Sequence, residues 1–315
     1  MTERGIALVT GGAGFIGSHL VERLLMDGWK VRVLDNLSTG KLENLPSHGS
    51  LEFIHGDVGD YDTVVRASES VAWIFHQAAI ASVPRTIDDP IGSHHTNYLG
   101  TLNVLEAAKY NCVSRVVFAA SAAAYGDMST PPLNEDMPAN PLSPYAIDKL
   151  SSEYCCKVYF QLFGLEAVGL RYFNVFGPRQ DPSSPYSGVI SIFVDTLLRK
   201  EIPVIFGDGE QTRDFVYISD VIEANIKAAE SRQAPGTVLN IGTGTGVTLN
   251  RLLRMLGEIM NTPVNANYKG SREGDIRDSW ANITRAKEVL DWRPNINMED
   301  GLIQLISYLK SRRPT

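Results

Sequence analysis

The sequence predicts an α/β protein: a doubly wound parallel sheet with a smaller, discontinuous α/β lobe. Three observations carry that expectation. Short apolar runs alternate with segments of helical period as far as Leu170, a glycine-rich turn joins the first run to the first helix, and the alternation loosens beyond Arg171.

The runs are Ile6–Val9, Val31–Leu34, Leu51–Ile54, Trp73–Phe75, Val116–Phe118 and Ala167–Leu170. Each is too short for a buried helix, and several are rich in β-branched or aromatic residues, so they read as core strands. Between them, Phe15–Met26, ended by Gly28, and Thr96–Tyr110, ended near Asn111, have helical spacing. Strand, helix and strand in repetition imply a parallel sheet covered on both faces. Further on, a loop rich in Pro, Gly and Ser from Gly177 to Gly188 precedes a helix over Val189–Arg199. Arg213–Ile218 reads as a strand feeding a helix from Ser219, with Asp220 and Glu223 spaced as a capping box. Val238–Ile241 reads as one more strand, and helices follow over Leu249–Met260 and Met298–Lys310. The expected division is a dinucleotide-binding unit over 1–171, to which 212–243 returns. Segments 172–211 and 244–315 form the second lobe.

With 315 residues and 43% of them hydrophobic, the chain is long enough for both units. Its net charge of −7 is spread rather than blocked, which argues against nucleic acid and against an anionic membrane surface as partners. A few arginines can still hold a phosphate inside an acidic protein. Cys112, Cys155 and Cys156 have neither zinc-site spacing nor the look of a disulfide framework, so no metal is expected and a reducing compartment fits. No signal peptide and no run of bilayer length is evident, so the expected location is the cytoplasm.

Gly11-Gly12-Ala13-Gly14-Phe15-Ile16-Gly17 follows the first strand and opens the first helix. Gly11 permits the tight turn, Gly14 lets a pyrophosphate approach the backbone, and Gly17 allows close helix–strand packing, as in a Rossmann-type fold. Asp35 ends the second strand about 20 residues further on, where an acid accepts from a ribose and repels a 2′-phosphate. NAD is therefore favoured over NADP. Downstream, Tyr145 and Lys149 are one helical turn apart, just after a helix start at Ser143-Pro144. A phenol titrates near pH 10, so a neighbouring ammonium is expected to lower its pKa for service as a base. Ser121, at the C-terminal end of the fifth strand, borders the crevice where such sheets bind ligands.

In this order, the glycine turn, Ser121 and the Tyr145/Lys149 pair resemble the extended short-chain dehydrogenase/reductase superfamily over nearly the whole chain. Gly56-Asp57-Val58, His76-Gln77-Ala78-Ala79 and Asn97 extend the likeness. Arg171-Tyr-Phe-Asn174, Arg213-Asp214 and Arg272-Glu-Gly-Asp275 look like nucleotide-sugar motifs of its sugar-nucleotide epimerase/dehydratase branch. The resemblance implies an NAD site of Gly11, Gly14, Phe15, Ile16, Gly17, Asp35, Asn36, Asp57, Val58, Gln77, Ala78, Ala79, Tyr145 and Lys149. It implies that Asn174, Arg213 and Arg272 hold a UDP diphosphate, with Asp275 on its ribose and Gly188, Val189, Val204 and Phe206 around the uracil. Ser82 and Ser121 would face the sugar.

Ala122 and Ala123 stand where 4,6-dehydratases need an Asp-Glu pair, which argues against dehydration. Ala81-Ser82-Val83-Pro84-Arg85 resembles bacterial UDP-N-acetylglucosamine 4-epimerases. Ser279 replaces a tyrosine of enzymes restricted to unacetylated sugars, leaving room for a 2-acetamido group. Ala122 also removes a second hydroxyl that such epimerases often carry after the serine. The expected activity is thus NAD-dependent 4-epimerisation of a UDP-N-acetylhexosamine through a 4-keto sugar, with Ser121, Tyr145 and Lys149 catalytic. UDP-glucose or UDP-uronate 4-epimerisation, UDP-uronate decarboxylation and a non-catalytic NAD-bound regulator are the alternatives. A homodimer through the helices Asn97–Tyr110 and Tyr145–Phe163 is the expected assembly.

Overall fold

The computed structural model describes residues 4–127, 130–181, 188–271 and 276–312. In its first half, β1 (Ile6–Thr10), α1 (Phe15–Met26), β2 (Lys30–Asp35), β3 (Leu51–His55), α2 (Tyr61–Ala67) and β4 (Val71–His76) lead to two short helices. These are α3 (Val83–Asp88) and α4 (Pro90–His94), followed by α5 (Gly100–Tyr110), β5 (Arg115–Ser121), α6 (Pro144–Phe163) and β6 (Ala167–Tyr172). The second half contains β7 (Asn174–Phe176), α7 (Val189–Leu198), β8 (Val204–Phe206), β9 (Thr212–Arg213), β10 (Phe215–Tyr217) and α8 (Ile218–Glu230). It continues with β11 (Val238–Ile241), β12 (Val247–Thr248), α9 (Leu249–Met260), β13 (Asn267–Lys269), β14 (Asp278–Ser279), α10 (Thr284–Leu290) and α11 (Met298–Ser311).

Seven parallel strands form the main sheet in the order β11-β6-β5-β4-β1-β2-β3. Strand order reverses between β1 and β4, the arrangement of a Rossmann-type sheet. The six apolar runs named above form its first six strands. Apolar residues of α2, α5 and α6, such as Val64, Leu105 and Tyr159, cover one face. Those of α1 and α8, such as Leu24 and Val221, cover the other, and that second core continues without a break into Phe193, Leu256 and Leu302 of α7, α9 and α11. Among the described residues, no helix is long and apolar enough to cross a membrane.

Three local expectations are corrected. The segment Arg213–Ile218 is not one strand, because Asp214 is fully buried between β9 and β10. Its carboxylate accepts from the Thr243 amide at 2.7 Å and hydroxyl at 2.6 Å, and from the amides of Gly244 at 2.9 Å and Ala281 at 3.1 Å. Strand β9 then pairs with β12 and β14, whereas β10 pairs with β7. Nor do Asp220 and Glu223 form a capping box. Helix α8 starts at Ile218 without a side-chain cap. Asp220 accepts from the amides of Asn295 at 3.0 Å and Ile296 at 3.1 Å, and Glu223 meets Arg23 of α1 at 2.7 Å. Tertiary contacts claim both carboxylates. The expected helix Thr96–Tyr110 is also subdivided, with a π turn over His95–Leu99 leading into α5.

At the carboxyl end of the central strand β4, His76 is buried, its ring nitrogens 2.7 Å from the Thr10 hydroxyl and 3.1 Å from the Thr101 hydroxyl. Burial, with the charge of Lys149 adding to it, pushes His76 from its ordinary 6.5 down to about 3. The folded protein therefore binds fewer protons at this site than the unfolded chain between about pH 6.5 and 3, so stability at this site falls as pH falls through that window. His76→Gln removes the titration. In urea unfolding, the stability advantage of wild type over His76→Gln is expected to shrink by about 2 kcal/mol between pH 7 and 5. A pH-independent gap would show that His76 titrates in the fold as it does in the unfolded chain.

Candidate active site

The glycine turn is fixed by sterics. Gly11 has φ +67°, and a Cβ there would come within 2.7 Å of the Ala78 backbone; one on Gly17 would lie 2.1 Å from the Gly11 carbonyl oxygen. Chain and helix can approach so closely only without side chains. A cleft of about 570 Å³ opens over this turn at the carboxyl ends of β1, β2, β4 and β5. Every residue expected to hold the dinucleotide lines it, from Gly11 to Lys149. Asp35 is buried at the end of β2, its carboxylate accepting from the amides of Ala13 at 2.9 Å and Leu37 at 2.8 Å. Asn36 donates to Asp57 at 2.7 Å, and Asp57 also accepts from the Gly59 amide at 2.7 Å. A glycine cradle at a helix N-terminus beside a fixed acid fits NAD.

The cleft also holds residues that sequence reasoning missed: Ser38, Thr39, Gly40, Arg85, Asp89 and Thr96. The first three form the loop after β2, and its position at a carboxyl strand end was the available signal. Thr96 belongs to the π turn, which no periodicity announces. In the same turn, Asn97 clamps the Ile80 backbone, accepting from its amide at 2.8 Å and donating to its carbonyl at 3.2 Å.

At the inner end of the cleft, Ser143 caps α6 and accepts from the Ala146 amide at 3.2 Å, with Pro144 as the first helical residue. That start sets Tyr145 at the mouth of the helix and Lys149 one turn inside. Ser121 closes β5, accepts from the Ala123 amide at 3.2 Å and stands beside the Tyr145 phenol. Lys149 is 2% exposed and donates to the Ala119 carbonyl at 2.8 Å, with its Nζ 5.9 Å from the centre of the Tyr145 ring. The three residues do converge. The phenol, however, is not lowered as expected: burial pushes Tyr145 up, and Ser121 pulls it partly back. Burial likewise draws Lys149 down to about 8, against the charges of Asp148 and Glu153.

Apart from Ser121, the described residues expected around the UDP-sugar lie on the second lobe and at the start of α3. Asn174 is exposed on β7, and Gly188 and Val189 start α7. Val204 and Phe206 are half-buried on β8, which pairs with β13. Arg213 lies on β9, directly paired with the buried Ser279 of β14. Ser82 spends its hydroxyl on capping α3, accepting from the Arg85 amide at 3.2 Å. Of this described set only Ser121 shares the wall of the cleft, which is also lined by Ala81, next to Ser82, and by Phe173 and Val175, on either side of Asn174. Arg272 and Asp275 lie outside the described residues.

Comparison with known proteins agrees with this architecture. Residues 7–242 match the NAD dependent epimerase/dehydratase family. The chain is 39% identical over 310 residues to a putative UDP-glucose 4-epimerase of Methanocaldococcus jannaschii, covering 98% of this chain and 99% of that protein. Its structure resembles the UDP-N-acetylglucosamine 4-epimerase of Methanobrevibacter ruminantium in complex with UDP-N-acetylmuramic acid. The TM-score is 0.95 at 39% identity, over 99% of this chain and 100% of that one. The UDP-glucose 4-epimerase of Thermus thermophilus in complex with NAD gives a TM-score of 0.90 at 37% identity, over 98% and 100%. The chain therefore belongs to the NAD dependent epimerase/dehydratase family of extended short-chain dehydrogenase/reductases, and is an NAD-dependent enzyme of its UDP-sugar epimerase and decarboxylase group.

Proposed function

We propose that this enzyme interconverts UDP-N-acetylglucosamine and UDP-N-acetylgalactosamine by inverting C4. Ser279 carries the choice of sugar. In a parallel pair, register partners project to the same face, and the Thr212 hydroxyl does reach Asp278 at 2.6 Å one position earlier. Ser279 therefore shares a face with Arg213, the residue assigned to the diphosphate. A small buried hydroxyl at that place leaves space beside the sugar for an acetamido group. The similarity to the M. ruminantium UDP-N-acetylglucosamine 4-epimerase supports the reading. A second reading, UDP-glucose 4-epimerisation, is favoured by the name of the M. jannaschii relative, and a small residue excludes neither sugar.

NAD, when bound, supplies reversible hydride acceptance at the sugar carbon. The side chains manage protons and position. Tyr145 Oη takes the proton from the sugar O4 and later returns it. Ser121 stands beside the phenol oxygen, and the Ala123 amide donates to the serine oxygen, leaving the hydroxyl proton to be shared with the phenol or the sugar O4. Because burial favours the neutral phenol, the Lys149 ammonium has to supply the countercharge. Arg213 anchors the diphosphate while the 4-keto sugar turns over. Ala122 and Ala123 present methyl groups, not competing hydroxyls, beside Ser121. We further assign the exposed stripe of Ile147, Tyr154, Val158 and Leu162 on α6 to a second copy of the chain, since these apolar side chains recur at helical spacing on one exposed face.

Three outcomes follow. Wild type should interconvert UDP-N-acetylglucosamine and UDP-N-acetylgalactosamine without added reductant, and Tyr145→Phe should lower kcat by roughly 10²–10⁴-fold with UDP-sugar affinity nearly intact. Near-normal turnover in Tyr145→Phe would dismiss the phenol as base. Ser279→Tyr should reduce kcat/KM for the acetylated substrate by at least ~10-fold, about 1.4 kcal/mol, and spare UDP-glucose and UDP-galactose. Equal losses on all four sugars would remove Ser279 from the sugar wall. In sedimentation, wild type should be a dimer and Val158→Glu/Leu162→Glu a folded monomer; an unchanged assembly refutes the α6 interface.

A further inference from the structure

Beside Lys149 lies a buried ion pair to which the chemistry above gives no task. Glu153 stands one turn beyond Lys149 on α6, as Lys149 stands one turn beyond Tyr145. Glu153 is 4% exposed. Arg171 of β6, 6% exposed, grips its carboxylate with two donors, Nε at 2.9 Å and Nη2 at 2.7 Å, and sets its guanidinium 4.6 Å from the centre of the Tyr125 ring. Burying two ions costs several kcal/mol each, and apolar replacements of such pairs are often neutral or stabilising. Stability alone is therefore a poor reason for this pair to sit here.

Its neighbour supplies a better one. Lys149 bonds the neutral Ala119 carbonyl. The groups that face it are Tyr145, Asp148, Glu153 and Cys156 of its own helix, and His76 of β4, with Arg171 of β6 behind Glu153. His76 is held neutral, and the Asp148 carboxylate is tied to His94 of α4 at 2.8 Å. Two buried carboxylates thus support the lysine: Asp148, whose second oxygen has no partner, and Glu153, whose two oxygens are both held by Arg171. We propose that Glu153 is a positioning residue for the reaction: its carboxylate, held by Arg171, keeps the Lys149 ammonium charged in a dry pocket and so keeps Tyr145 able to release its proton. Arg171 is needed for this, because burial pushes the Glu153 carboxyl up and Arg171 is the main group opposing it. The proposal rests on the roles given to Tyr145 and Lys149 above.

Glu153→Gln alone strands Arg171 and is expected to lose stability, so the informative protein is the NAD-loaded double variant Glu153→Gln/Arg171→Met. Two quantities are read. The ¹³Cε resonance of Lys149, identified by its loss in Lys149→Arg, reports the lysine titration, and the basic limb of the kcat–pH profile reports its use. Both midpoints should fall by about one pH unit with KM close to wild type, an effect that loosened packing would not produce. Glu153→Asp, with Arg171 retained, should restore at least half of that shift. A Lys149 midpoint unchanged in the folded, NAD-loaded double variant overturns the inference and leaves the base role of Tyr145 standing. A lysine midpoint that moves while the kcat limb stays fixed overturns the coupling of Lys149 to Tyr145, and with it both the proposal and that base role.

Discussion

A parallel sheet covered by helices on both faces has no open surface on which to do polar chemistry. What remains is the line of strand ends, and here the reversal between β1 and β4 parts the loops along that line. Among the described residues, the cofactor cradle and the Ser121, Tyr145 and Lys149 cluster sit at that opening. The glycine turn leaves β1, Asp35 ends β2, Gln77 and Ala78 follow β4, and Ser121 ends β5. Even the helix that carries Tyr145 and Lys149 is set by a cap, Ser143, just beyond the same edge. In the function proposed above, the second lobe brings an anion-binding face to the opening, and β9 with β14 is the piece assigned to it.

Burial is the second constraint, and it acts in opposite senses on the groups it reaches. The same dry surroundings hold Tyr145 protonated, draw Lys149 toward neutrality and keep His76 uncharged. A charged lysine in such a place is held up by carboxylates rather than by water. The site thus depends on a balance of ions that extends into the layer between α6 and β6, well behind the residues that touch substrate.

How much of this was legible in the sequence follows from the range of the interactions involved. The strands, α1 and the glycine turn could be read because apolar period and φ requirements are local. Tyr145, Lys149 and Ser121 could be placed together from one helical spacing and one strand end. The second lobe resisted, since β7, β8, β9, β10, β12, β13 and β14 are two or three residues long and owe their existence to distant partners. Asp220 has the spacing of a capping residue yet is used by the loop at Asn295 and Ile296, a contact no local rule contains. The sense of the Tyr145 shift was missed for a related reason: spacing locates the lysine but says nothing of how dry the pocket is.

The uninterrupted apolar core that joins the sheet to α7, α9 and α11 bears on how a sugar can be presented twice to one cofactor. Swinging the lobe against the sheet would expose side chains such as Phe193, Leu256 and Leu302, so a hinge between the two halves is opposed by the hydrophobic effect itself. The frame around the reacting carbon is then a stationary mould. In the epimerisation proposed above, the guest then has to do the rotating, tethered by its diphosphate, and the free volume left around the ring, rather than any movement of the host, would decide which sugars complete the somersault.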